Sequence, residues 1–185
     1  MRPEGAGPAD LALRSDRRLG DGGSLSSTSD TDLIGMADPH DLGAIARSIV
    51  DSNRYMTLAT ADEHGMPWAS PVWYAPEEYR ELFWVSKPEA RHSRNLATRP
   101  QLAIVIFDSH QAGGWNALYM AAMAEELTDV DEGIETFSQR SQAQGLPAWT
   151  RGDVLPPARH RLYRATVSEH FVLDPHDRRL PVRLA

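Results

Sequence analysis

The stretch Leu82-Phe83-Trp84-Val85-Ser86-Lys87-Pro88-Glu89-Ala90-Arg91-His92-Ser93-Arg94-Asn95-Leu96 joins an apolar strand to a basic helix. Leu82 to Ser86 has the length and the aromatic content of a strand, and the helix runs from about Ala90 to Thr98, stopping before Pro100. Between Lys87 and Arg99 stand Lys87, Arg91, His92, Arg94 and Arg99 against one acid, Glu89, in a chain of net charge −7. Arg91 and His92 fall in the first helical turn, where the macrodipole disfavours cations by roughly 0.3–1 kcal/mol. The unpaired N–H groups of that same turn attract an anion. A phosphate seated between the cations and the helix makes sense of both facts, with Ser86 adding a hydroxyl and Arg91 gripping two oxygens. A solvated basic helix pairing with surface acids accounts for the spacing equally well.

Working outward, Asp38-Pro39 offers a helix N-cap and a first-turn proline, followed by Leu42, Ile45, Ile49 and Val50 at helical spacing up to about Asn53. Tyr55 to Ala61 reads as a strand, Asp62-Glu63-His64-Gly65 as a turn and Pro67 to Tyr74 as a second strand. Glu77 to Arg80 is a turn into the strand at Leu82. Leu102 to Phe107 is a continuous apolar run, expected to be buried on both faces. A strand lies within Asn116 to Thr128 and an amphipathic helix within Asp131 to Gln144, carrying Ile134 and Phe137. A loop with Gly145, Pro147, Pro156 and Pro157 leads to a long strand, Arg161 to Leu173, and a short one at Leu180 to Leu184. The total is about six strands, besides the short C-terminal one, and three helices, with connections too short for parallel crossovers. The expected class is mainly β (α+β), an antiparallel barrel with peripheral helices.

Residues 1–36, rich in Gly, Ser, Asp and Pro, carry no helical or strand period and are expected to be a disordered extension, with Met36 an alternative start; residues 37–185 form the folded domain. The remainder is bounded by composition. There is no cysteine, hence no disulfide and no thiolate metal site. The negative net charge argues against general nucleic-acid binding. No apolar run approaches the roughly 20 residues of a membrane span, and the N-terminus lacks a secretory apolar region, making the cytoplasm the default compartment. The histidines His40, His64, His110, His160, His170 and His176 show no metal-ligand spacing.

The succession strand, tight turn, strand, turn, strand, basic helix, strand resembles the pyridoxamine 5′-phosphate oxidase-like family, whose fold is a flavin-binding split β-barrel. The similarity is densest in Leu58 to Pro67, Leu82 to Ser86, Ala90 to Leu96, Arg99 to Ala103 and Leu118 to Leu127. The resemblance implies FMN held at a homodimer interface. Its phosphate would meet Val85 and Ser86 at the end of the third strand and the positions of a Ser-Arg-Lys triplet, here Ala90-Arg91-His92. Arg91 matches, while His92 stands for the lysine and can still donate a hydrogen bond. The flavin ring would lie along Ser70-Pro71-Val72-Trp73, with backbone groups of Val72 and Trp73 at its polar edge. Asn116, near the position of a family glutamine, would reach the amide edge of the ring.

The departures are chemical. The family's oxidases carry an Arg and a Lys on the second strand, where this chain has Ser70 and Ala75, and an Arg-Leu-His near the C-terminus, where it has Arg179-Leu180-Pro181. The resemblance therefore implies an FMN-dependent oxidoreductase acting on a small organic substrate, with a nicotinamide nucleotide as reductant, rather than a true pyridoxamine-phosphate oxidase. No side chain is nominated as an obligatory acid or base. Two alternatives stand: a deazaflavin-dependent reductase, and a non-catalytic flavin- or haem-binding protein with His170 or His176 as axial ligand. Among other candidates, Trp84 is expected in the core, Trp73 and Trp115 at the flavin wall or the dimer interface, and Arg140, Arg161 and Arg164 at the surface, with substrate contact as their alternative role. Gly113-Gly114 is a loop and not a dinucleotide fingerprint.

Overall fold

The computed structural model describes residues 41–110 and 115–184. The expected extension over residues 1–36, the Asp38-Pro39 cap, His40 and Gly113-Gly114 lie outside the described residues. In chain order the elements are α1 (Leu42–Ser52), β1 (Tyr55–Ala61), β2 (Pro67–Trp73), β3 (Ala75–Glu77), β4 (Glu81–Ser86), α2 (Arg91–Thr98), β5 (Gln101–Phe107), β6 (Ala117–Glu126), α3 (Asp131–Ala143), α4 (Arg151–Val154), β7 (Arg161–Leu173) and β8 (Arg179–Val182). The strands pair antiparallel in the order β2-β1-β5-β6-β7-β4-β3, with β8 added to β7. This is the antiparallel split barrel with a few peripheral helices.

Four expectations are corrected. The described sheet holds eight strands, not six and a short C-terminal one. The additional one is β3, a three-residue edge strand containing Pro76, a residue rare inside sheets, in a stretch that the sequence leaves unassigned between the second strand and the Glu77–Arg80 turn. A fourth helix, α4, is a single turn within the proline-rich loop, closed by a capping box in which Thr150 and Asp153 satisfy one another's backbone. Helix α1 is capped by Asp41, whose carboxylate accepts from Ala44 N at 2.9 Å. Strand β5 is not buried on both faces: Leu102, Ile104 and Ile106 point inward while Gln101, Ala103 and Phe107 are exposed. Its outward residues after Gln101, namely Ala103, Val105 and Phe107, are apolar too, which hides the alternation in the sequence.

Two cores result. The larger fills the barrel with Met56, Leu58, Leu82, Trp84, Ile104, Ile106 and Leu118, and Trp84 stacks on Tyr163 at 5.4 Å. The smaller lies under α3 and α4 and comprises Ala75, Phe83, Val130, Ile134, Phe137, Val154 and Leu162. Helix α3 reaches β4 closely because Gly133 has no side chain; a Cβ there would come within 2.6 Å of the Phe83 ring. The β3–β4 turn places Glu78 and Tyr79 at φ 48° and 56°, the primed hairpin geometry. His170 Nε2 donates to the Tyr79 carbonyl at 2.8 Å and Tyr79 Oη donates to Asp51 at 3.0 Å, which hold that turn. Among the described residues no helix is long and apolar enough to cross a membrane.

Candidate functional site

The site forms where β2, at one end of the strand order, comes back against β4 near the other. Helix α2 lies over this junction. Its inward face is polar, with His92, Ser93 and Asn95 buried beside Leu96, so hydrogen bonds and not apolar periodicity seat the helix. Asn95 Nδ2 donates to Thr60 Oγ1 on β1 at 3.0 Å, and Thr60 Oγ1 donates to the Trp68 carbonyl on β2 at 3.3 Å. His92 lies between two serines: Nε2 is 2.8 Å from Ser86 Oγ at the end of β4, and Nδ1 is 3.1 Å from Ser70 Oγ on β2. Burial alone pushes the imidazole below the usual histidine range. Ala90 provides no side-chain cap, so the first-turn N–H groups of α2 lack the partner a cap would give them.

A cavity of about 480 Å³ opens here, within the range of about 300–1,000 Å³ common for small-molecule sites. Strand β2 contributes Pro71, Val72 and Trp73; β4 contributes Val85 and Ser86; α2 contributes His92. The remaining wall comes from Phe137 and Ser141 of α3 and from Leu146, Pro147 and Trp149 beyond it. Among the described residues no carboxylate, Lys or Arg lines the cavity. Trp73 meets Phe137 edge-on at 4.7 Å, and Phe137 meets Trp149 edge-on at 5.7 Å. Trp73 Nε1 donates to Gln144 Oε1 at 2.8 Å, and Ser141 Oγ donates to the Pro147 carbonyl at 2.7 Å, fixing the loop against the cavity. A second, more open recess of about 420 Å³ shares Val85 and Ser86 and adds Lys87, Glu89, Ala90 and His160.

Six of the residues named from the sequence, Pro71, Val72, Trp73, Val85, Ser86 and His92, thus line one cavity, with Ser70 behind His92. Arg91 and Asn116 stand elsewhere. The Arg91 guanidinium lies 4.5 Å from the centre of the Trp68 ring and 4.0 Å from Asp62. Asp62 is held ionised by backbone N–H donors from Met66 and His64, which outweigh its desolvation and lower its pKa. Asn116 borders a separate recess against α1, together with Trp115. Arg140 caps the carbonyls of Asp51 and Asn53, Arg161 pairs with Glu126, and Arg164 pairs with Glu125 and Glu81. The wall from α3 and its following loop was not found from the sequence. Phe137 and Trp149 read there as ordinary helix and loop residues, and nothing local signals that they return to β2. Among the described residues no group of three or more His, Asp or Glu side chains is placed to hold a metal.

A family model for pyridoxamine 5′-phosphate oxidase matches residues 43–169, spanning the whole of this site. The chain belongs to that family. Compared with curated proteins by sequence, it matches none. Solved structures of the same fold include HutZ, a haem storage protein from Vibrio cholerae (22% identity, 68% of this chain and 90% of that one, TM-score 0.54). A haem-binding protein from Mycobacterium smegmatis shares 22% identity over 77% of this chain and 57% of its own length, with a TM-score of 0.60. A Clostridium acetobutylicum protein described as related to general stress protein 26, of the pyridoxinephosphate oxidase family, shares 13% identity over 76% of this chain and 93% of its own, with a TM-score of 0.57. At these identities the likeness is one of fold.

Proposed function

We propose that this family member binds FMN non-covalently in the β2–β4 cavity and acts as an oxidoreductase on a small organic substrate. The observation that carries the proposal is the cavity's division into an uncharged aromatic part and a polar end at Ser86, His92 and the start of α2. An isoalloxazine ring suits the first. A phosphate suits the second, where Ser86 Oγ, the uncapped first-turn N–H groups and nearby Lys87 are the donors. FMN, when bound, supplies the hydride and electron transfer, and the protein supplies anchoring, orientation and exclusion of water. Trp73 and Phe137 flank the ring's space, and the Gln144 bond keeps the Trp73 indole from turning into it. The substrate differs from pyridoxamine phosphate on this account: Arg179, the surviving residue of the family's C-terminal grip, stacks on Tyr119 at 4.6 Å.

A homodimer belongs to the same proposal. The outward face of the sheet carries the row Pro71, Thr57, Val105, Tyr119, Phe171 and Pro181 across six strands, beside a second row that includes Ala69, Ala59, Ala103 and Ala121. Tyr55, Phe107 and Met123 on this face are 61%, 53% and 48% exposed, an apolar surface suited to a second copy. Pro71 belongs both to this face and to the cavity wall, which supports a flavin at the dimer interface.

The spectrum of the purified protein tests the assignment. A yellow chromophore released as FMN on denaturation is the expected result. A Soret band, a released deazaflavin, or a colourless protein without affinity for FMN would replace it. Stopped-flow mixing with NADH and NADPH then tests the reductant, flavin bleaching being expected with one of them.

A further inference from the structure

Resting on the FMN assignment above, we infer that Ser70, His92 and Ser86 form an anchor that takes up a proton as a phosphomonoester dianion binds. At two of the positions where the family's oxidases carry permanent cations, this chain has Ser70 and His92, and the two side chains touch each other. A fixed positive charge is thereby exchanged for one the ligand induces.

A neutral imidazole has one N–H and one lone pair, so the three groups can be ordered in two ways. With the proton on Nδ1, that N–H donates to Ser70 Oγ, and the Ser86 hydroxyl donates to Nε2. Lone pairs of Ser86 then face the cavity and repel an anion. With the proton on Nε2, this N–H donates to Ser86 Oγ, Ser86 donates outward, and the Ser70 hydroxyl donates to Nδ1. An anion at Ser86 selects the second order. From there Nδ1 can accept a proton from solvent while the Ser70 hydroxyl rotates to become its acceptor. The imidazolium then keeps both N–H groups partnered and faces the dianion through Ser86. No heavy-atom bond forms or breaks, and the one proton is drawn from water.

The surroundings leave that charge for the ligand to stabilise. On α2, Arg91 is turned to Trp68 and Asp62, and Arg94 donates to the Glu89 carbonyl. Lys87 and Glu89, in the turn from β4, are of opposite sign, and His160 lies across the neighbouring recess. On β7, Tyr163 donates to Glu126, which Arg161 also pairs. Asp62, beyond β1, is occupied by backbone donors. The ring's two hydrogen bonds are both to serine hydroxyls, and in the free protein burial keeps it neutral. A dianion at a given distance attracts the imidazolium twice as strongly as a monoanion does.

Calorimetric titration of the cofactor-stripped full chain with FMN at about pH 8, in buffers of different ionisation enthalpy, tests this. With a second phosphate pKa of about 6, the ligand is already a dianion there and contributes no uptake of its own. Net proton uptake is expected, and the Kd for FMN should rise with pH above neutrality, by up to about tenfold per unit. His92→Gln should abolish the uptake and flatten the pH dependence. Ser70→Ala should diminish it, because the imidazolium Nδ1–H loses its acceptor. FMN binding without uptake, or uptake unchanged in His92→Gln, overturns the anchor and leaves the flavin assignment standing; absence of FMN binding overturns both. Should His92→Gln not fold, the imidazole 15N shifts of the wild-type chain decide the matter: a ring that stays neutral on FMN saturation overturns the inference.

Discussion

Ser86 and Arg91 are five residues apart, and the sequence puts Arg91 first for phosphate with Ser86 as its helper, yet they differ in what they already hold. Ser86 Oγ sits on the cavity wall and, among the described residues, bonds only His92, whereas Arg91 is occupied by Trp68 and Asp62. To reach a ligand, Arg91 would forfeit a cation–π contact worth about 0.5–1 kcal/mol at an exposed site. Ser86→Ala is therefore expected to weaken FMN binding by about 1.5–3 kcal/mol, the range for a hydrogen bond to a charged group. Arg91→Ala should weaken it by less and should shift the tryptophan emission as Trp68 loses its partner. Fluorescence titration of both variants checks the order. The residues around Ser86 were legible because a strand end, a proline and a helix start follow one another within ten positions. The direction of the Arg91 side chain was not, since it depends on α2 packing over β2 with Trp68 opposite, which no local pattern records.

Element by element, the barrel strands announced themselves through length and turn residues, and β7 begins and ends where the sequence places it, at Arg161 and Leu173. What stayed hidden was short or polar. β3 has three residues, α4 has four, and the buried face of α2 consists of His92, Ser93 and Asn95, types that ordinarily mark a surface. The seating of α3 is equally invisible, since it hinges on Gly133 lying against Phe83. Alanine there would gain about 1 kcal/mol of helix propensity but must displace the Phe83 ring, at a cost of about 1–3 kcal/mol for overpacking. The expected outcome of Gly133→Ala is a net loss of stability and a loosened Phe137–Trp149 wall. Urea unfolding and near-ultraviolet circular dichroism would register the two effects separately.

For the molecule as a whole, two buried histidines set an acid limit. His92 and His170 both have folded pKa values lowered by burial, although the bond from His170 to the Tyr79 carbonyl pulls the latter partly back. The unfolded chain therefore binds protons more readily than the folded one below about pH 6.5. Their contribution to stability is complete above that pH and is lost as pH falls through the lowered folded values. Urea midpoints of the cofactor-free protein should decline from about pH 7 to 5, and His170→Gln should reduce the slope; a flat profile would contradict the burial argument. The outward sheet face gives the other global prediction. Val105→Asp places a charge in the middle of the row that runs from Pro71 to Pro181. It should convert a species of twice 20.5 kDa into a monomer in analytical ultracentrifugation and weaken FMN retention with it.

Lys87, exposed on the rim of the recess beside Ser86, is the sequence's one lysine. The proposed anion end of the site consequently carries the chain's sole side-chain amine. An acylating dye would meet no competing lysine there, and with the terminal α-amine blocked beforehand it would give a site-addressed label without mutagenesis. Cofactor arrival would then be followed by protection of that amine or by quenching of the dye, in the native polypeptide.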